Sequence, residues 1–256
     1  LTDIDTVLIT HLHFDHTIEL PNLWLTGWLF GRKKNMQVYG PEGTEEFMNH
    51  FEQAFDWDLR YRYLTNVHVE GSDLITTDIE PGVFYNKNGI KITAFDVAHL
   101  PMDPDTEELL GLEGATFGYR VDYKGRSVVF SGDTRSLPGS KIIEISKGVD
   151  VLVHETQIPY PGDSKEAKLA NVSMIVHSSP EQVAYVFNET RPRLGIYHHI
   201  IPPETTRDEL LGMTDYDGRM EVAEDLMTLM IGDEITVGMA ERMDGQTFLE
   251  SDAVDE

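Results

Sequence analysis

Residues 11–16 read His-Leu-His-Phe-Asp-His directly after the apolar run Val7-Leu8-Ile9-Thr10, so three imidazoles and a carboxylate fall within six positions. If the apolar run is a strand, His11 and His13 lie two residues apart and project from the same side of an extended backbone. Asp15 and His16 follow where the chain turns, which sets a second pair of ligands beside the first. Imidazole and carboxylate without thiolate suit zinc, manganese or iron, and zinc in hydrolytic sites keeps a position open for water. For the hexapeptide alone, a histidine-rich surface turn is the alternative. The residues downstream argue against it.

Those residues come at the ends of strand-like runs. His99 closes the run from Ile90, Asp133 follows Val128-Val129-Phe130-Ser131-Gly132, His154 and Glu155 follow Asp150-Val151-Leu152-Val153, and His198 with His199 follow Leu194-Gly195-Ile196-Tyr197. Eight of the ten histidines lie at strand ends or in a short motif, which leaves His50 and His68 as ordinary surface candidates. Core histidines scattered without function would not sort in this way.

The elements that must position these groups alternate. Strand-like runs at 6–9, 36–39, 83–85, 90–97, 117–122, 127–130, 151–153 and 194–197 are separated by helical stretches, a rhythm that predicts a mixed α/β layered domain. Helices are expected at 44–55, with Glu45 and Glu46 in the first turn, at 180–189, opened by Ser179, and at 141–147. Leu20, Leu23, Trp24, Gly27 and Trp28 form one helical stripe just beyond the ligand cluster, read as core rather than as a substrate wall. The stretch 102–114 reads as an exposed acidic loop. No internal repeat or linker is evident, so the expectation is one domain over residues 1–240 followed by an acidic tail, 241–256.

Composition limits the partners. Forty-five acidic against twenty basic residues give a formal charge of −25, and such a mean field repels phosphate backbones and anionic membranes. Bound cations would reverse that field locally, so RNA stays open as a substrate. With no cysteine, disulfides and thiolate ligands are excluded and any metal must be held by His, Asp or Glu. No apolar run reaches the roughly eighteen residues needed to span a bilayer. A cytoplasmic location is the expectation, with export left open because the chain starts at Leu1 rather than Met and a ligand-bearing strand begins almost at once.

The ligand series resembles the metallo-β-lactamase superfamily, over the span from the first strand to about residue 200. The resemblance implies a four-layer αβ/βα sandwich with a dinuclear site on one edge of two facing sheets. It implies that His11, His13 and His99 hold one divalent cation, that Asp15, His16 and His198 hold the other, and that Asp133 bridges them. His198 and His199 are adjacent, and strand neighbours point to opposite faces. In the related enzymes the ligand directly follows the apolar strand, which selects His198.

Within the superfamily, His154-Glu155-Thr156, His177-Ser178-Ser179 and Phe130-Ser131-Gly132-Asp133-Thr134-Arg135 resemble the segments of ribonuclease Z and its phosphodiesterase and arylsulfatase relatives. That likeness implies a hydroxide between the metals as nucleophile, Asp15 as ligand and proton acceptor, and His177, held by Glu155, as the acid that protonates the leaving group. A phosphodiesterase is therefore expected, with zinc as the cation and manganese or iron as substitutes. An arylsulfatase, lactonase or other small-ester hydrolase is the alternative, and a non-catalytic metal-binding scaffold the second. The resemblance also implies a homodimer, for which the Leu20–Phe30 stripe is a candidate face.

Two departures weaken the transfer of tRNA processing. Many ribonuclease Z enzymes insert a tRNA-gripping arm between the third and fourth motifs, but 34 positions separate His99 from Asp133. The opening strands expected of the family are also not in the chain, so the first sheet is expected to lack an edge.

Overall fold

The computed structural model describes residues 1–65, 70–99 and 116–240. His68, the acidic loop at 102–114 and the acidic tail at 241–256 lie outside the described residues.

The chain opens with strand β1 (Thr6–Leu8), a single helical turn α1 (Phe14–Thr17) and helix α2 (Leu20–Leu29). Strand β2 (Met36–Gly40), helices α3 (Thr44–Ala54) and α4 (Asp56–Leu64), and strand β3 (Leu74–Asp78) follow. β1, β2 and β3 form a parallel sheet with β2 in the centre. On its outer face, Ile9, Met36 and Val38 pack against Leu20, Trp24 and Trp28 of α2, Met48 of α3 and Leu59 of α4. The helical stripe is thus spent on the core. Its Trp24 and Trp28 are buried there, while Leu29 and Phe30 at its end are exposed.

The second sheet begins with two hairpins. Strands β4 (Gly82–Lys87) and β5 (Ile90–Asp96) meet at Asn88-Gly89, and β6 (Phe117–Tyr123) and β7 (Arg126–Phe130) at Lys124-Gly125. All four turn residues have positive φ, as a two-residue turn matched to strand twist requires. Helix α5 (Lys141–Ile145) then leads to β8 (Val151–Gln157), α6 (Lys165–Ala170), a 3-10 turn at 171–175 and α7 (Pro180–Thr190). Strand β9 (Leu194–Ile201), α8 (Arg207–Gly212) and β10 (Met220–Val222) complete a seven-stranded sheet of order β10-β9-β8-β7-β6-β5-β4. β8 is buried over its whole length, as a central strand covered on both faces should be.

Side chains alternate across this sheet. Val129, Leu152 and Tyr197 face α5, α7 and α8, whereas Val128, Val151, Val153 and Ile196 face inward against a final hairpin, β11 (Met227–Ile231) and β12 (Ile235–Met239). Leu8 and Tyr39 of the first sheet pack on Ile92, Ala94, Phe117 and Tyr119 of the second. The result is helix, sheet, sheet, helix: the four-layer αβ/βα sandwich. β1 is an edge strand of a first sheet that has three strands among the described residues.

Two bonds join the sheets beside the ligand cluster. Tyr119 OH donates to the Ile9 carbonyl at 2.6 Å and the Phe117 N–H to the Thr10 carbonyl at 2.9 Å, so the residues just before His11 are pinned to the second sheet. On the other side of the site, α7 starts in a capping box in which Ser179 Oγ accepts from the Gln182 N–H and Gln182 returns the bond to the Ser179 N–H. Ser179→Ala is expected to destabilise the protein by about 1 kcal/mol, lowering the midpoint of thermal unfolding by about 2–4 °C, as followed by circular dichroism.

Candidate metal centre

The segment after β1 is held at both ends. Ile9 N–H donates to the Tyr39 carbonyl, and the buried Thr17 hydroxyl donates to the His13 carbonyl at 2.8 Å, which closes α1 under the ligands. Leu12 packs into the core of the first sheet. What remains free to face the strand ends is the set His11, His13, Asp15 and His16.

His11, His13 and His99 come together as one group. His13 Nδ1 lies 3.0 Å from His11 Nε2 and 3.2 Å from His99 Nε2. A second group contains Asp15, His16, Asp133 and His199, with one potential ligand atom of each within 4.8 Å of the others. His16 Nε2 is 3.3 Å from Asp15 Oδ2, and His199 Nε2 is 3.4 Å from the same oxygen. Asp133 Oδ2 joins the groups: it is 3.1 Å from His16, 3.6 Å from His199, 3.8 Å from His99 and 3.9 Å from His11. Gly132 makes this possible. Its φ is +59°, and a Cβ there would stand 2.6 Å from the Phe117 carbonyl oxygen.

The donor set fits divalent cations. His99 Nδ1 is 2.9 Å from the Val176 carbonyl and His11 Nδ1 is 3.0 Å from the Thr10 hydroxyl, so in each ring the partner fixes one nitrogen and leaves Nε2 aimed at the shared centre. Protons cannot satisfy a set of ring nitrogens that all converge, and cations can. Burial and the neighbouring rings push His11 down to about 3, and burial takes His99 down to about 4, which keeps both neutral as ligation demands. Asp133 behaves oppositely: burial works to raise its carboxyl, but the hydrogen bond and charge of His16, with the charges of His199 and His99, hold it well below the usual carboxylate range. Asp133 Oδ1 and His199 Nδ1 are buried with no hydrogen-bond partner among the described residues.

His199 lies in the second group, whereas the resemblance had selected His198. Opposite β9, the register of β8 runs His154 to Tyr197 and then Thr156 to Ile200, so two residues of β9 face the single Glu155. His199 is the one with positive φ, +45°. A bulge of this kind re-aims a side chain. His198 Nε2 is instead buried with no hydrogen-bond partner among the described residues, and burial pushes its ring down to about 4.

Glu155 and His177 form a pair at the rim. Glu155 Oε2 is 3.2 Å from His177 Nδ1, while Oε1 accepts the N–H groups of Ser178, at 2.9 Å, and Thr134, at 3.2 Å. Burial opposes charging of His177, but the hydrogen bond and charge of Glu155 outweigh it and raise the ring above its ordinary value. Burial in turn pushes the Glu155 carboxyl up against the pull of His177. His177 can also reach His99 and Asp133 on one side, and His199 on the other. His154 joins no cation group; its Nε2 is 2.9 Å from the Ser136 hydroxyl and its Nδ1 2.7 Å from the Glu155 carbonyl.

Sequence reasoning missed the frame around this pair. Ser178 Oγ donates to the Thr134 carbonyl and accepts the Ser136 N–H, tying the loop that bears Asp133 to the loop that bears His177. Local pattern carries no signal for it, since the partners are more than forty residues apart.

A family model described as a beta-lactamase superfamily domain matches residues 1–200. A ribonuclease Z of Mycobacterium bovis is 27% identical over 238 residues, which cover 87% of this chain and 78% of that protein. Among solved structures, the metallo-beta-lactamase fold protein YhfI from Bacillus subtilis aligns with a TM-score of 0.60 at 15% identity, over 93% of this chain and 79% of that one. The short form of human tRNase Z aligns with a TM-score of 0.57 at 20% identity, over 88% and 78% respectively. Both likenesses are of fold.

Proposed function

The chain belongs to the metallo-β-lactamase superfamily, and from that membership we propose that it is a dinuclear metal-dependent hydrolase cleaving a phosphodiester. The observation that carries the reading is the buried Glu155–His177 pair, 3.2 Å apart, within reach of both ligand groups. His11, His13 and His99 would hold one cation and Asp15, His16 and His199 the other, with Asp133 shared. Zinc is the expected ion, manganese or iron the alternatives. Bound there, two divalent cations would lower the pKa of water and offset negative charge on the scissile group.

The chain's own residues supply the rest. Asp15 lies next to His16 and His199 and, as the more exposed carboxylate of the site, can take a proton from the attacking water. His177 presents Nδ1 to Glu155, so the proton it can give is the one on Nε2, and the leaving oxygen is its acceptor. Glu155 holds the ring in that orientation and is itself held by the Thr134 and Ser178 N–H groups. The upward shift favours the protonated ring, and that form is lost as pH rises through the raised value. His177→Ala is expected to cost about 10²-fold in kcat for a diester with an alkoxide leaving group, and much less for p-nitrophenolate, which leaves without a proton. The basic limb of the pH profile should disappear with the imidazole. Equal losses for both leaving groups would remove His177 from the acid role.

The high acidity and the 34 positions between His99 and Asp133 favour a small diester over tRNA. Metal-loaded protein assayed on bis(p-nitrophenyl) phosphate, precursor tRNA, an aryl sulfate and a lactone tests the reading. Hydrolysis of the diester that is lost in His13→Ala supports it. Inactivity on the whole panel across pH and metals would return the chain to the class of metal-binding scaffolds.

A further inference from the structure

His154 is buried beside the site yet joins neither ligand group. An imidazole closed off from water needs partners for both nitrogens. Here Nδ1 lies 2.7 Å from the Glu155 carbonyl and Nε2 lies 2.9 Å from the Ser136 hydroxyl. A carbonyl only accepts, so the ring proton is on Nδ1. Burial pushes the ring down to about 4, which keeps it neutral near pH 7 and leaves Nε2 bare. The Ser136 hydroxyl is therefore the donor to Nε2, and one tautomer satisfies both contacts.

Both partners lead to the Glu155–His177 pair. β7 pairs with β8 only as far as Phe130 opposite Val153. Glu155 lies two residues beyond, where its N–H donates to the Ser131 hydroxyl at 3.1 Å and its carbonyl accepts from His154. Side chains thus take over where the ladder stops. Ser136 belongs to the loop after Asp133, from which the Thr134 N–H donates to Glu155 Oε1 at 3.2 Å. The Ser136 N–H donates to Ser178 Oγ, and the Ser178 N–H donates to the same Glu155 oxygen. Thr134, Ser136 and Ser178 are all buried, so water does not compete for these bonds. With one nitrogen His154 grips the backbone of Glu155, and with the other the loop that holds its carboxylate.

We propose that His154 is a positioning residue: clamped between the Glu155 carbonyl and the Ser136 hydroxyl, its ring fixes the Glu155 carboxylate against His177 Nδ1 and so keeps the His177 ring aimed. Its effect on turnover rests on the reading of His177 as the acid. Its effect on the pair does not.

Three variants of the metal-loaded protein test this. His154→Phe keeps a flat ring and removes both polar contacts. In His154→Gln the amide oxygen stands as many bonds from Cβ as Nε2 does, so the link to Ser136 is retained. Ser136→Ala breaks that link from its other end with less disturbance to the core. Circular dichroism and metal content confirm that each variant is folded and loaded. In NMR spectra of protein with isotope-labelled histidines, the wild type is expected to show His154 protonated on Nδ1 alone and the His177 Nδ1 proton shifted downfield by Glu155. The downfield signal should vanish in His154→Phe and Ser136→Ala and return in His154→Gln. For a diester with an alkoxide leaving group, kcat should fall about tenfold in the first two variants with KM unchanged, while the p-nitrophenyl ester stays within about twofold of the wild type. Combining His154→Phe with Ser136→Ala should cost no more than either alone, as two ends of one path do. An Nε2 proton on His154, a downfield signal unchanged in both variants, or additive losses would overturn the positioning role. Loss of the signal with equal losses for both leaving groups would keep that role and take the acid role from His177. A leaving-group effect in His177→Ala with the signal intact in His154→Phe and Ser136→Ala would do the reverse.

Discussion

Asp133→Ala is expected to lower turnover by about 10³-fold or more, the scale of several kcal/mol of charge stabilisation at a metal centre, and to leave the protein unable to keep two equivalents of metal. The reason is geometric. A single oxygen, Oδ2, stands within 3.1–3.9 Å of His16, His199, His99 and His11, which belong to both ligand groups. Without it, His11 and His99 would lose the carboxylate nearest to them, Asp15 would be left beside His16 and His199 alone, and no residue would join the two groups. Asp133→Asn retains the shape and removes the charge. It should lose metal nearly as badly, because the carboxylate is held far below its ordinary range by the surrounding rings. A depressed carboxylate adds stability that is present above its unfolded pKa and lost as pH falls through the folded one. At neutral pH the variant should therefore also unfold at a lower temperature in the absence of metal. Metal analysis after dialysis, with turnover and thermal unfolding on the same samples, checks all three. Full occupancy in Asp133→Ala would show that the ligand groups bind independently.

His199→Ala and His198→Ala are expected to differ by about 10²-fold or more in affinity for one of the two cations, since even partners that only orient a ligand are worth 10–100-fold. His199 Nε2 lies beside Asp15 and Asp133, so its removal strips one ligand from the second group and leaves His11, His13 and His99 intact. One equivalent should remain tightly bound. His198 lies outside the second group. Its buried Nε2 has no hydrogen-bond partner among the described residues, and removing an unsatisfied polar group leaves mainly the cost of the space it filled. Titration with zinc against a competing chelator measures both variants. Loss of the second cation in His198→Ala, with His199→Ala unaffected, would mean that the β9 register is regular and the bulge absent.

Much of this protein was legible because its chemistry is concentrated where chain direction changes. The eight strand-like runs correspond to β1, β2 and β4 to β9, and the helices expected at 44–55, 141–147 and 180–189 correspond to α3, α5 and α7. β3 was not legible: Leu-Ile-Thr-Thr-Asp is half polar and lies at the sheet's edge, where only one neighbour and one face favour apolar residues. β11 and β12 escaped for a similar reason, as an isolated hairpin with exposed residues in alternation. The single turn α1 and the short helices α6 and α8 fall below the length at which periodicity can be read.

The site divides along the same physical line. Residue type and spacing by themselves marked His11, His13, Asp15 and His16 as candidate ligands, put His99 and Asp133 at strand ends, and made the layers α/β, because each of these rests on local geometry with a period of two or 3.6 residues. Only the tertiary structure decided between His198 and His199, since a bulge is a relation between two strands and adds a residue that no one-strand periodicity can count. It alone set Asp133 Oδ2 at the meeting point of four rings, and it alone tied Glu155 through Thr134 and Ser178 to the loops on either side. His16 and Asp133 are 117 positions apart, and packing rather than sequence proximity brings such partners together.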